Sequence, residues 1–212
     1  MVIGAIHAQP KSVAQLQSQV KPATGTELEA YQHVLYSVRT YTSGTTRDLT
    51  FFDFVGAADA TNMEAAAQLP DPQFFEIWGH HFGVRRRLTN TAEGITGALD
   101  DVEQLVRSGG GTYELVIGAK VYGPELLENA HALGGPTGFG WGLDNVAAGG
   151  TPSQTVYANN GILGYGLNYR GSVTIPPKQR FLVRVRWPAA LTLTGNVDVY
   201  FAFSGVHHRE VK

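Results

Sequence analysis

Cysteine is absent from the 212 residues, which excludes disulfides, a thiolate nucleophile and any zinc–sulfur site. Charge is sparse. Asp, Glu, Lys and Arg together make up 16% of the chain, below the quarter or so usual in globular proteins. Many surface positions are therefore left to Thr, Ser, Asn, Gln and Gly, or are buried against another subunit. The net charge of −2 argues against strong nonspecific nucleic-acid binding, which needs Lys and Arg clustered on phosphates. No apolar run approaches the ~18 residues of a spanning helix. The opening Met1–His7 is too short for the apolar region of a signal peptide and lacks a basic start. The expectation is a chain that acts where it is made or is assembled from there.

What is present is β-pattern. Phe181, Val183, Val185 and Trp187 alternate with Leu182, Arg184 and Arg186 until Pro188 stops the run. A second run sets Val197, Val199, Phe201 and Phe203 against Asn196, Asp198, Tyr200 and Ser204. Period-2 alternation of β-branched and aromatic residues marks a strand with one buried face. These eight apolar residues are the expected core of the domain. With 43% apolar residues overall, the chain can bury a sizeable core.

Upstream, residues 1–30 are poor in large apolar groups and read as an extended or partly disordered arm, or as a frayed terminus. Residues 33–41 and 48–55 read as strands, and 56–72 as a long loop with Pro70 at its end. Residues 73–88 are the longest strand candidate. Strict alternation there puts Phe74, Trp78, Phe82 and Val84 on one face and Phe75 and Ile77 on the other. Either both faces are covered or a bulge lies near Gly79 or Gly83. Leu99, Val102, Leu105 and Val106 have helical spacing, with acidic residues early and Arg107 late, as the helix dipole favours. A strand is expected over 112–122. A short helix follows from Pro124, closed by Gly134-Gly135. Residues 134–154 read as Gly-rich loop, with short strands at 155–158 and 165–175. The sum is about eight strands and two short helices, an all-β sandwich or barrel. Eight strands in two sheets is the number for a jelly roll, placed here as a single domain over 31–212 after the arm. Strand order stays open at this level.

Candidate chemistry is thin. Seven histidines include His80-His81 and His207-His208. Adjacent strand residues face opposite ways, so each pair offers one ligand to a given site. Without convergent ligands and an ordered second layer of partners, no metal and no cofactor are expected. Arg85-Arg86-Arg87 is the only basic cluster. Arg85 and Arg87 share a side and can meet phosphate or a neighbouring subunit's carboxylates, or simply end a strand in water. Phe139 and Trp141 lie within Gly138-x-Gly-x-Gly142, which lacks the strand-to-helix setting of a phosphate loop. They are candidates for contact with a ligand or another subunit, or they anchor their own loop. Asp100-Asp101 fit a helix start. Ser153 and Ser204 lack a nucleophile elbow. No catalytic constellation is found, and the chain is not expected to be an enzyme.

Ile175-Pro176-Pro177, then Phe181, Val183 and Val185, then Trp187-Pro188, and the closing run from Val197 to Gly205-Val206 with Arg209 resemble a known pattern. Asn62, Leu69-Pro70, Phe74, Ile77 and the stretch Tyr113–Lys120 extend it upstream. Together they resemble the jelly-roll capsid and structural proteins of tailless icosahedral bacteriophages, over some two thirds of the chain. The resemblance implies a capsid subunit that self-assembles into an icosahedral shell, in virions assembled in the host cytoplasm. It implies partners in copies of itself and in other capsid proteins, and it carries no catalytic residue. Residues 1–30 hold only Lys11 and Lys21 as basic groups, so direct nucleic-acid binding through the arm is not expected. Such an arm suits tying subunits together, or a shell over an internal membrane or an inner protein layer. The alternative is a carbohydrate- or receptor-binding jelly-roll module, a virion spike or lectin-like domain, with Phe139, Trp141 and Tyr165 as sugar platforms. A third reading, a cupin-like metalloenzyme, uses His80 or His207.

Overall fold

The computed structural model describes residues 28–85, 101–130, 136–144, 153–160 and 173–210. In chain order their strands are β1 (Leu28–Tyr41), β2 (Asp48–Phe51), β3 (Phe74–Arg85), β4 (Thr112–Ile117), β5 (Lys120–Leu126), β6 (Pro136–Asp144), β7 (Ser153–Asn160), β8 (Val173–Ile175), β9 (Phe181–Arg186) and β10 (Val197–Glu210). One four-stranded sheet runs β1-β10-β3-β8 and a second runs β2-β9-β4-β5, with every neighbouring pair antiparallel. Strands β6 and β7 form a hairpin of their own. Across the two large sheets, β1 pairs with β10, β2 with β9, β3 with β8 and β4 with β5. First thus meets last, and each successive strand meets the next one in from the other end.

Alternation builds the core between the sheets. Val197, Val199, Phe201 and Phe203 on β10, and Phe181, Val183 and Val185 on β9 followed by Trp187, are all buried. Arg184 and Arg186 on β9 face outward and are exposed. Aromatic rings join the layers. Phe52 stacks on Phe203 at 4.9 Å, Tyr41 meets Trp187 edge-on at 5.0 Å, and Phe51 packs on Phe82 and Phe201. Such contacts add about 0.5–1.5 kcal/mol each beyond area burial. The Trp187 indole N–H donates to the Leu105 carbonyl at 2.9 Å, so the largest core side chain is buried with its polar atom satisfied.

Strand β3 is re-phased by a bulge at Trp78. Ser204 of β10 faces Gly79, and the next residue, Gly205, faces Ile77. The extra residue turns Trp78 outward, where it is 45% exposed. Phe75 and Ile77 before the bulge and His80, Phe82 and Val84 after it then share the core side, through their pairing with β10. This corrects the strict alternation that grouped Phe74 and Trp78 with Phe82. Phe74 and Glu76 belong to the outer face of the sheet.

Several expectations change. The single strand expected over 112–122 is a hairpin, β4 turning at Gly118 into β5, and β1 begins at Leu28, inside the stretch 1–30 expected as an arm. The helix expected over 98–107 is helical over 101–108, with a π-turn at Gln104–Ser108, and residues 98–100 lie outside the described residues. The helix expected from Pro124 is instead strand β5. Gly123, at φ +114, lets two residues bulge opposite Glu114, so Pro124 sits in an edge strand, and only a 3-10 turn, Leu127–Asn129, follows. The Gly-rich loop expected over 134–154 includes a strand, because β6 pairs with β7 from Pro136 to Asp144.

Candidate functional site: the histidine end of the first sheet

Period-2 geometry on β1 and β10 gathers polar rings where the core gives out. Tyr31 lies opposite His207 in register and His33 opposite Gly205, so Tyr31, His33 and His207 share the inward face. The His33 and His207 rings stack at 5.5 Å with 27° between planes, and Tyr31 packs against both. Gln73, just before β3, donates from Nε2 to Glu64 at 3.0 Å, which leaves its Oε1 as the acceptor 3.1 Å from His207 Nε2. His207 therefore carries its proton on Nε2, and its Nδ1 accepts from the Tyr31 hydroxyl at 3.0 Å. Burial, the neighbouring His33 and the Arg209 charge push the His207 pKa down to about 4, with Glu64 opposing.

The other side of the same strand end holds His208, buried and stacked on Phe74, with Nε2 3.1 Å from Glu76 Oε1. Burial lowers the His208 pKa, although Glu76 pulls it the other way. At the rim Arg209 pairs with Glu29 at 2.5 Å and lies over the Tyr31 ring at 4.8 Å.

The remaining pair of adjacent histidines is divided by the sheet as well. His81 contacts the Tyr200 hydroxyl on the outer face at 2.5 Å. His80 is interior. The Tyr113 hydroxyl donates to Glu125 at 2.7 Å, so it accepts from His80 Nε2 at 2.6 Å. Burial pushes the His80 pKa down to about 4. Both His80 and Tyr113 are buried, and this chain of hydrogen bonds ties β3 to β4 and to Glu125 on β5.

Among the described residues no three His, Asp or Glu side chains converge to hold a metal ion, and no described helix is long and apolar enough to cross a membrane. Arg85 closes β3 opposite Asp198, while Arg87 and Tyr165 lie outside the described residues, as does Asp100. Asp101 is buried and accepts from the backbone and hydroxyl of Thr194 at 2.9 and 2.6 Å, fastening the helical turn to the segment before β10. Phe139 and Trp141 occupy β6 opposite Ala158 and Val156. The structure thus keeps Arg85 on β3 and Phe139 and Trp141 on β6, and joins instead Tyr31, His33 and Gln73, which the sequence did not single out, with Asn62, which entered there only through the resemblance. Their signal was the alternation Tyr31-x-His33, which shares a face with His207 only once β1 is paired with β10. Comparison with protein-family models, with curated proteins and with solved structures returns no match.

Proposed function

We propose that the chain is a jelly-roll coat subunit of a bacteriophage, which assembles with copies of itself and with other capsid proteins into an icosahedral shell. It works by packing and not by catalysis. The observation that carries this reading is the pairing of first strand with last, second with second-last, and so inward, across sheets ordered β1-β10-β3-β8 and β2-β9-β4-β5. A single antiparallel ribbon rolled on itself has this order, and jelly rolls of this kind serve in viral coats and in lectins. The hairpin β6–β7 is then an insertion between the fifth and sixth strands of the roll. The low content of charged residues supports assembly, because charges are depleted from the centres of subunit contacts. The virion is the expected location.

Electron microscopy of the purified protein and of its native source tests the reading. Closed particles, or rings of five or six subunits, are the expected result. A protein that stays monomeric at high concentration, with no particle in its source, overturns it. Binding on a glycan array that is lost in Trp141→Ala replaces it with the carbohydrate-binding module.

A further inference from the structure

The outer edge of β1 is closed by a strap from the loop before β3. Val38 N–H donates to Ala60 O at 2.7 Å, Thr61 bridges Ser37, and the Thr61 hydroxyl donates to Tyr36 O at 2.9 Å. Asn62 completes the strap with its side chain alone. Its Oδ1 accepts from the Tyr36 backbone N–H at 2.9 Å, and its Nδ2 donates to Val34 O at 2.7 Å. A backbone N–H can only donate and a carbonyl can only accept, so these two bonds fix the orientation of the amide. The same Nδ2 lies 3.1 Å from His33 Nε2. That ring nitrogen must therefore be the acceptor, and it must be unprotonated.

We propose that His33 and Asn62 form an acid-released latch, in which protonation of His33 Nε2 repels the Asn62 amide and frees the strap from the edge of β1. A proton on Nε2 sets two donors face to face. Turning the amide over does not relieve this, since it then points Nδ2 at the Tyr36 N–H and Oδ1 at the Val34 carbonyl. Turning the imidazole over brings a C–H to the amide and supplies no acceptor. The surroundings offer little relief. On β1 they are Tyr31 and Glu29, the latter engaged by Arg209; on β10 they are His207 and Arg209 itself; on the loop Glu64 is held through Gln73 on the far side of His207. His208 and Glu76 pair on the opposite face of the sheet. Burial and the Arg209 charge accordingly hold the His33 pKa below its ordinary 6.5. Release leaves the Val34, Tyr36 and Val38 backbone groups as a bare strand edge, the kind of surface that pairs with another strand.

Amide exchange of the full chain between pH 7 and pH 4.5, corrected for intrinsic rates, tests the latch. The protection of Tyr36 and Val38 is expected to fall about tenfold per pH unit once His33 titrates, relative to core amides on β10. In His33→Gln, which accepts from Asn62 at every pH, that relative fall is expected to vanish. In Asn62→Asp the carboxylate accepts from protonated His33 but sets an oxygen against the Val34 carbonyl, so protection of Tyr36 and Val38 is expected to be lower at neutral pH and no longer to fall as His33 takes up its proton. Equal pH dependence of Tyr36, Val38 and the β10 amides overturns the proposal, as does an unchanged fall in His33→Gln. Should His33→Gln not fold, the wild-type imidazole followed by nitrogen NMR decides. Titration of His33 in step with the Tyr36 amide supports the latch, and titration without any response at Tyr36 overturns it.

Discussion

The rings of Phe74 and His208 lie face to face on the outer side of the first sheet, 4.0 Å between centroids and 8° from parallel. The stack holds His208 Nε2 against the Glu76 carboxylate, and both side chains are almost wholly buried. Burial holds the His208 pKa below its ordinary value, so near neutral pH the imidazole serves Glu76 as an uncharged hydrogen-bond donor, and removing it leaves a buried carboxylate without that donor. His208→Ala is expected to cost about 1–3 kcal/mol, the penalty for an unsatisfied buried acceptor. Glu76→Gln keeps an acceptor for Nε2–H and is expected to cost less than about 1 kcal/mol. Urea unfolding of the two variants checks both values, and equal losses would show that the carboxylate matters beyond its hydrogen bond.

Acid is expected to weaken the fold well above the titration range of ordinary carboxylates. His80 and His207 both have pKa values near 4 in the folded chain, against 6.5 for an exposed histidine. Between those values the unfolded chain binds more protons than the folded one, so stability falls as pH falls. The loss begins near pH 6.5 and is complete near pH 4. For His80, whose burial is complete, the whole span corresponds to on the order of 3 kcal/mol, and His207 adds to it in the same window. Denaturant midpoints measured from pH 7.5 to 4 check this, and a flat profile contradicts it.

Gly205 tests the bulge. A Cβ at this position would lie 1.8 Å from the Glu76 carbonyl oxygen, a backbone atom that cannot swing aside. Gly205→Ala must therefore separate β10 from β3, at a cost of at least about 2 kcal/mol by the standard of overpacked cores. Gly44 is the control. It has φ +69 and open space around it, so Gly44→Ala meets only backbone strain, about 1 kcal/mol. Thermal unfolding should rank the two clearly.

Trp187 reports on the joint between the sheets and the helical turn. Trp187→Phe removes the donor to Leu105 O and part of the packing against Tyr41 and Phe82. A loss of roughly 2–3 kcal/mol is expected from an unsatisfied buried carbonyl together with a small cavity. Equilibrium unfolding followed by far-ultraviolet circular dichroism measures it.

Strands β9 and β10 could be read from the chain because each has one wet and one dry face, so composition alternates residue by residue. Strand β3 resisted. A one-residue bulge at Trp78 shifts the pattern by half a period, and the run then looks apolar on both sides. Strand β5 was hidden by Gly123-Pro124, a pair equally suited to opening a helix and to kinking an exposed edge strand, where no core contact enforces alternation. Glycine at 138, 140 and 142 hid β6 in the same way, by removing the side chains whose pattern is read. The histidine end was obscured for another reason. His33 and His207 are 174 positions apart in the chain, and Asn62 belongs to a loop without periodicity, so only the register of β1 on β10 joins them.

That register bears on how the molecule would yield under tension. Leu28 sits directly across from Glu210, and the two strands stay in step as far as Tyr41 and Val197. A load applied between residues 28 and 210 pulls at right angles to both strands and reaches their cross-links singly, starting from the outermost. Pulled from those two points, the domain should open like a zip at low force, whereas handles at residues 28 and 197, on opposite ends of the two strands, would meet all the rungs at once.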